Sequence, residues 1–112
     1  MTYSYRAFAK IHLRDYQGAI KDCNSALLIN PQFDWAYINR ANAKEYIGDL
    51  AGALMDCNTA VEINPENGWA YYRKGMILKR MGEVEMAISE FKLAKTKGGT
   101  LADLELDRLK EV

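Results

Sequence analysis

Apolar and polar positions along residues 34–47 follow a helical period and separate into two stripes. One stripe carries Tyr37 and Ala41. The other runs through Trp35, Ile38, Asn39, Asn42, Glu45 and Tyr46, spaced i, i+3, i+4, i+7, i+10 and i+11. Asp34 is placed to cap this helix, which runs to about Ile47, where Gly48 supplies a left-handed residue to end it. Asp49 then suits the cap of a second helix that runs to about Ile63 and stops at Asn64-Pro65. A helix pair is the predicted unit.

The unit recurs. Shifting residues 1–33 by 34 onto 35–67 matches fifteen of 33 positions, among them Tyr3/Tyr37, Arg6/Arg40, Ala7/Ala41, Lys10/Lys44, Asp22/Asp56, Cys23/Cys57 and Pro31/Pro65. A second shift aligns Trp35/Trp69, Tyr37/Tyr71, Gly48/Gly82, Ala53/Ala87 and Ala60/Ala94. The chain therefore reads as three copies, about 1–33, 34–67 and 68–101. Arg14 stands where the other copies have Gly48 and Gly82, which costs about 1 kcal/mol if the turn needs a positive φ. Small residues, namely Ala7, Ala41 and Gly75 in the first helices and Ala19, Ala53 and Ala87 in the second, mark where paired helices approach closely. Leu101, Leu104, Leu106, Leu109 and Val112 form a last apolar stripe, predicting a capping helix over about 100–112 that begins near Thr100.

Composition narrows the function classes. The 112 residues fit one domain, and fifteen basic residues balance fifteen acidic ones, so no overall field favours nucleic acid or an acidic membrane. The charge alternates by copy: +2 over 1–33, −4 over 34–67, +4 over 68–101 and −2 over the last eleven residues. One histidine, His12, excludes sites built from several imidazoles, and no metal site is expected. Two cysteines, Cys23 and Cys57, are too few for a disulfide scaffold and read as small buried hydrophobes. No GxGxxG, GxSxG or phosphate-loop motif occurs, so neither an enzyme activity nor a cofactor is expected. No apolar run is long enough for a membrane span, and residues 1–10 lack a signal-peptide pattern, so a cytoplasmic, reduced protein is expected.

The recurring positions Tyr37, Ala41, Gly48, Ala53, Ala60 and Pro65 resemble the tetratricopeptide repeat family over residues 1–101. Cys23 and Cys57 replace that family's usual aromatic, and Gly99 replaces its third proline. The resemblance implies an all-α superhelical solenoid of three helix pairs plus the capping helix, spanning 1–112 as one domain. It also implies that the second stripe of each first helix lines a concave groove. On that basis the peptide-binding residues are Tyr5, Phe8, Trp35, Asn39, Asn42, Trp69, Tyr72, Arg73 and Met76.

A narrower likeness, to co-chaperone domains of this family, rests on Asn39-Arg40-Ala41, Asp56-Cys57-Asn58 and Tyr71 to Gly75. Those domains grip a partner's C-terminal carboxylates through five residues, whose positions here are Ser4, Phe8, Asn39, Trp69 and Arg73; only Asn39 and Arg73 match. Three lost charge-assisted contacts cost on the order of 4 kcal/mol, about a thousandfold in affinity. The expected function is thus a non-catalytic interaction module that takes a partner's peptide segment, a C-terminus among the alternatives, and anchors it on aromatics. Expected partners are protein only, with no nucleic acid or membrane, and the chain is a monomer or weakly self-associating. The alternatives are a co-chaperone-type domain for acidic C-terminal peptides, a self-assembling scaffold, and a segment of a longer multi-domain protein.

Overall fold

One residue with positive φ sets the turn inside each helix pair. Gly48 (φ 90°) and Gly82 (φ 85°) adopt it freely, and Arg14 (φ 64°) adopts it in the first copy. The next residues cap the following helices: Asp15 and Asp49 accept the backbone N–H of Gly18 and Gly52, both at 3.0 Å. Glu83 takes the same place without a side-chain cap. Between copies, the Asn30 and Asn64 side chains accept the N–H of Gln32 and Glu66, so Ile-Asn-Pro closes the second helix of the first two copies with an Asx turn.

The structure, a computed structural model, describes residues 2–98 and 101–110, with side chains from Arg6 to Gly98 and Leu101 to Leu109. The helices are α1 (Thr2–His12), α2 (Tyr16–Ile29), α3 (Asp34–Tyr46), α4 (Leu50–Ile63), α5 (Gly68–Arg80), α6 (Val84–Thr96) and α7 (Ala102–Lys110). No strand occurs among the described residues. Each helix packs on the next in sequence, while α1 also meets α3 and α3 meets α5, so the odd-numbered helices of the three pairs share one face. The array measures 40 × 26 × 21 Å. Thr100 and Val112, the expected ends of the capping helix, lie outside the described residues.

One expected cap is corrected. Phe33 holds the cap position of α3, and Asp34 is already its first helical residue. Its carboxylate is engaged elsewhere: besides the Trp35 N–H, it accepts the side-chain amides of Asn64 (3.1 Å) and Asn67 (3.0 Å) from the next inter-repeat loop. Asp34 thus ties neighbouring copies together.

The packing face behaves as the small residues predict. Ala7, Ala41, Ala19, Ala53, Ala87, Cys23 and Cys57 are fully buried. The third copy inverts the sizes at one contact: Phe91 stands where the others have Cys23 and Cys57, and Gly75 stands where they have Ala7 and Ala41. A methyl on Gly75 would sit 2.6 Å from Phe91 Cε1, so the ring occupies the space the missing side chain vacates. Both thiols are free and their pKa is pushed up to about 12, mainly by burial.

A carboxylate, buried in the first two copies and partly buried in the third, clasps each pair from beside that contact. Asp22 takes Arg6 through two hydrogen bonds (2.8 and 3.1 Å) and Lys10 at 3.0 Å. Asp56 repeats this with Arg40 (2.7 and 2.9 Å) and Lys44 (3.1 Å). In the third copy Glu90 pairs with Lys74 at 3.1 Å, and buried Leu78 replaces the second cation. The Arg6 hydrogen bonds, followed by Lys10, hold the Asp22 carboxyl below its ordinary range against the opposing effect of burial.

Helix α7 closes the array. Its Ala102 and Leu106 join Tyr71, Tyr72, Leu78 and Phe91 in one apolar cluster, covering a face that a further repeat would otherwise bury.

Gly75→Ala is expected to cost about 1–3 kcal/mol by overpacking against Phe91. Cys57→Phe is expected to destabilise similarly, and adding Ala41→Gly to restore part of the loss; urea unfolding of the single and double variants checks both. Because the folded Asp22 carboxyl has a lowered pKa, its contribution is present above its unfolded value of about 4 and is lost as the pH falls through its folded value. Between about pH 5 and pH 2.5 the melting temperature should fall further for the native chain than for Asp22→Asn.

Candidate functional site

The shared face of α1, α3 and α5 holds a cavity of about 460 Å³. Phe8, Ile11 and His12 come from α1, Asn42 and Tyr46 from α3, and Arg73 from α5, with Arg14 and Tyr16 closing one end. Helical spacing delivers these side chains: Phe8 and His12 are four apart on α1, as Asn42 and Tyr46 are on α3. The Phe8 and His12 rings meet edge to face at 4.5 Å, and Tyr16 stacks flat on Tyr46 at 4.8 Å. Phe8 is still 51% exposed and Tyr46 58% exposed, so aromatic surface faces the open space.

Polar side chains share this wall with the rings: His12, Arg14, Asn42 and Arg73 all line it. Asn42 Oδ1 is buried and has no hydrogen-bond partner among the described residues. Arg73 is already engaged: its Nη1 lies 3.3 Å from Glu45 Oε1, and its guanidinium sits over the Tyr72 ring at 5.7 Å. Glu45, only 6% exposed, also takes Arg80, whose Nη1 donates to the Glu45 carbonyl at 2.7 Å and lies 3.5 Å from Oε2. Next to Arg80 on α5, Lys79 pairs with buried Glu105 of α7 at 2.8 Å.

The structure brings together Phe8, Asn42 and Arg73 of the residues expected from sequence. Trp35 stands at the start of α3, 40% exposed and away from the cavity lining. Asn39 is buried on α3. Trp69 is half-buried against Ile38, Ala60 and Ala70, with its ring 5.4 Å from Tyr72 in an edge contact. Tyr72 is only 6% exposed in the cluster under α7, its ring 5.9 Å from Phe91, and burial pushes its phenol pKa up. Met76 packs partly buried on the same cluster. The Tyr5 side chain lies outside the described residues, as does that of Ser4.

Sequence reasoning missed Arg14 and Tyr16, which belong to the turn and the start of α2, where the groove stripe does not extend. It placed Glu45 and Tyr46 on the groove stripe, and the equivalent stripe of the first copy carries Ile11 and His12. Register offers a signal: His12, Tyr46 and Arg80 occupy one repeat position, and Ile11, Glu45 and Lys79 another. Among the described residues no cluster of His, Cys, Asp or Glu is arranged to hold a metal, and no helix is long and apolar enough to cross a membrane.

Comparison with solved structures places the fold. The first tetratricopeptide domain of Spaghetti (RPAP3), bound to the HSP90 peptide SRMEEVD, is 22% identical, with 98% of this chain and 89% of that chain covered and a TM-score of 0.87. The Arabidopsis OM64 tetratricopeptide domain is 22% identical over 98% of this chain and 93% of that one, with a TM-score of 0.90. The TPR2B domain of yeast Sti1, in a complex with pHsp70, is 26% identical over 97% and 94% of the two chains, with a TM-score of 0.84. No characterised protein matches by sequence search at a significant level. Residues 36–67 and 57–89 each match the tetratricopeptide repeat. Residues 36–89 thus carry the tetratricopeptide repeat, and the array of three helix pairs with its closing helix has the tetratricopeptide fold.

Proposed function

We propose that the face formed by α1, α3 and α5 binds a peptide segment of a partner protein, seating an apolar or aromatic side chain between Phe8, His12 and Tyr46. The observation that carries this is the open cavity itself, walled by the exposed rings of Phe8 and Tyr46 with His12 beside them. Asn42 lines the same cavity and its side-chain oxygen is buried without a donor, which costs about 1–3 kcal/mol; rotation of this amide toward the backbone N–H of a bound segment removes that cost. Exposed rings beside a single unsatisfied polar group match the usual composition of peptide pockets, with apolar anchoring and a few orienting hydrogen bonds. The role is non-catalytic.

Two of the similar structures are complexes, one with an HSP90 peptide and one with pHsp70. Those likenesses support protein binding on this fold. For an acidic C-terminal peptide the residues here are less suited: Asn39 is buried and Arg73 already has a carboxylate partner. An apolar segment is the better match.

Titration of isotope-labelled protein with short peptides, aromatic ones alongside acidic C-terminal ones, tests the reading. Amide shifts should gather at Phe8, His12, Asn42, Tyr46 and Arg73 with the aromatic set; absence of shifts, or shifts confined to α2, α4 and α6, would overturn it. Asn42→Leu is expected to leave the melting temperature unchanged or slightly raised, because an unpaired buried acceptor is removed. The same variant should weaken aromatic-peptide binding by roughly tenfold, as the loss of one hydrogen bond implies. Calorimetry of both quantities checks the pair.

A further inference from the structure

We infer that Glu45 determines the specificity of this face: its buried carboxylate occupies Arg73 and Arg80 and thereby excludes acidic segments that these two cations would otherwise capture. This rests on the reading of the face as a peptide groove and goes further by naming what it rejects.

The geometry is that of an occupied anion site. One carboxylate, held on α3, lies within 3.5 Å of two guanidinium groups on α5, and Arg80 is further fixed by the Glu45 backbone carbonyl. A carboxylate tethered beside its partners acts at an effective concentration that a free peptide cannot match. An incoming acid that displaced it would leave Glu45 buried, charged and unpaired, which is a strongly unfavourable outcome. The third cation of this face, Lys79, is held in the same manner by Glu105, itself buried on α7 and also bound by Arg108 at 3.1 Å. Arg14 lines the end of the cavity from an exposed turn, where water and salt screen its charge. Positive residues are therefore present on α5, yet two buried carboxylates hold them and offset part of their charge from within.

The repeat register indicates that the carboxylate is a choice rather than a requirement of the fold. Glu45 shares its position with Ile11 in the first copy and Lys79 in the third. Ile11 is buried there as part of the core, so an apolar residue fits that position in at least one copy.

The test compares the native chain with Glu45→Gln and with Glu45→Ile, the second guarding against loss of fold in the first. Circular dichroism confirms helicity in each. The probes are an acidic peptide ending in Glu-Glu-Val-Asp with a free C-terminus, its amidated Gln-Gln-Val-Asn counterpart, and the aromatic peptide of the preceding section. Both variants should bind the acidic peptide at least tenfold more tightly than the native chain does, with the gain erased at high salt and absent for the amidated peptide. Equal acidic-peptide affinity in native and variant chains, or an equal gain for the neutral peptide, would overturn the inference. A gain for the acidic peptide with no binding of the aromatic one would sink the apolar-ligand reading and leave the role of Glu45 standing. Binding of the aromatic peptide with no acidic gain would do the reverse, and no binding of any probe would remove both.

Discussion

Within each helix pair, a small residue on the first helix and a side chain on the second must fill one shared volume, and the remaining geometry follows from how closely they meet. Ala7 with Cys23 and Ala41 with Cys57 solve this with two small side chains, whereas Gly75 with Phe91 solves it with none and a ring. Both solutions bring the helices close enough for a carboxylate on the second helix to reach a cation on the first. Asp22, Asp56 and Glu90 do so one residue before the packing position in every copy. The apolar contact sets the distance, and the ion pair, partly shielded from water beside it, sets the rotation.

Once distance and rotation are set inside each pair, the direction of the odd-numbered helices is set as well. Their second stripes then converge on one face, which is why Phe8, Asn42 and Arg73, spread over 66 positions of sequence, line the same cavity. The groove is a by-product of how the pairs close. Its chemistry is written separately, in the few positions that packing leaves open.

Much of this was legible in the sequence. The left-handed turns at Gly48 and Gly82, the caps at Asp15 and Asp49, and the small residues at the helix crossings all depend on local backbone conformation or on helical period, which short stretches of sequence display. The strain at Arg14 was legible for the same reason. Hidden were the contacts that join distant repeats. Asp34 looks like a cap because Asp is a good one, yet it serves Asn64 and Asn67, about thirty residues on. Tyr72 shares the groove stripe by spacing, but α7 draws it into the core, because the last pair has no following repeat to cover it. Periodicity states which side of a helix a residue is on; it does not state what lies across from that side. The Glu45 contacts with Arg73 and Arg80 are of this second kind.

The paired cysteines carry a consequence of a different sort. Cys23 and Cys57 are sealed in the first and second copies, with thiols held in the unreactive protonated form, and the third copy has Phe91 in their place. A thiol reagent therefore reaches either sulfur only when the pair enclosing it opens. In a linear array whose units depend on their neighbours, opening need not be simultaneous along the chain. The two sulfurs are thus a built-in pair of clocks, one in the first repeat and one in the second, that record in the native protein whether the first pair opens before the central one.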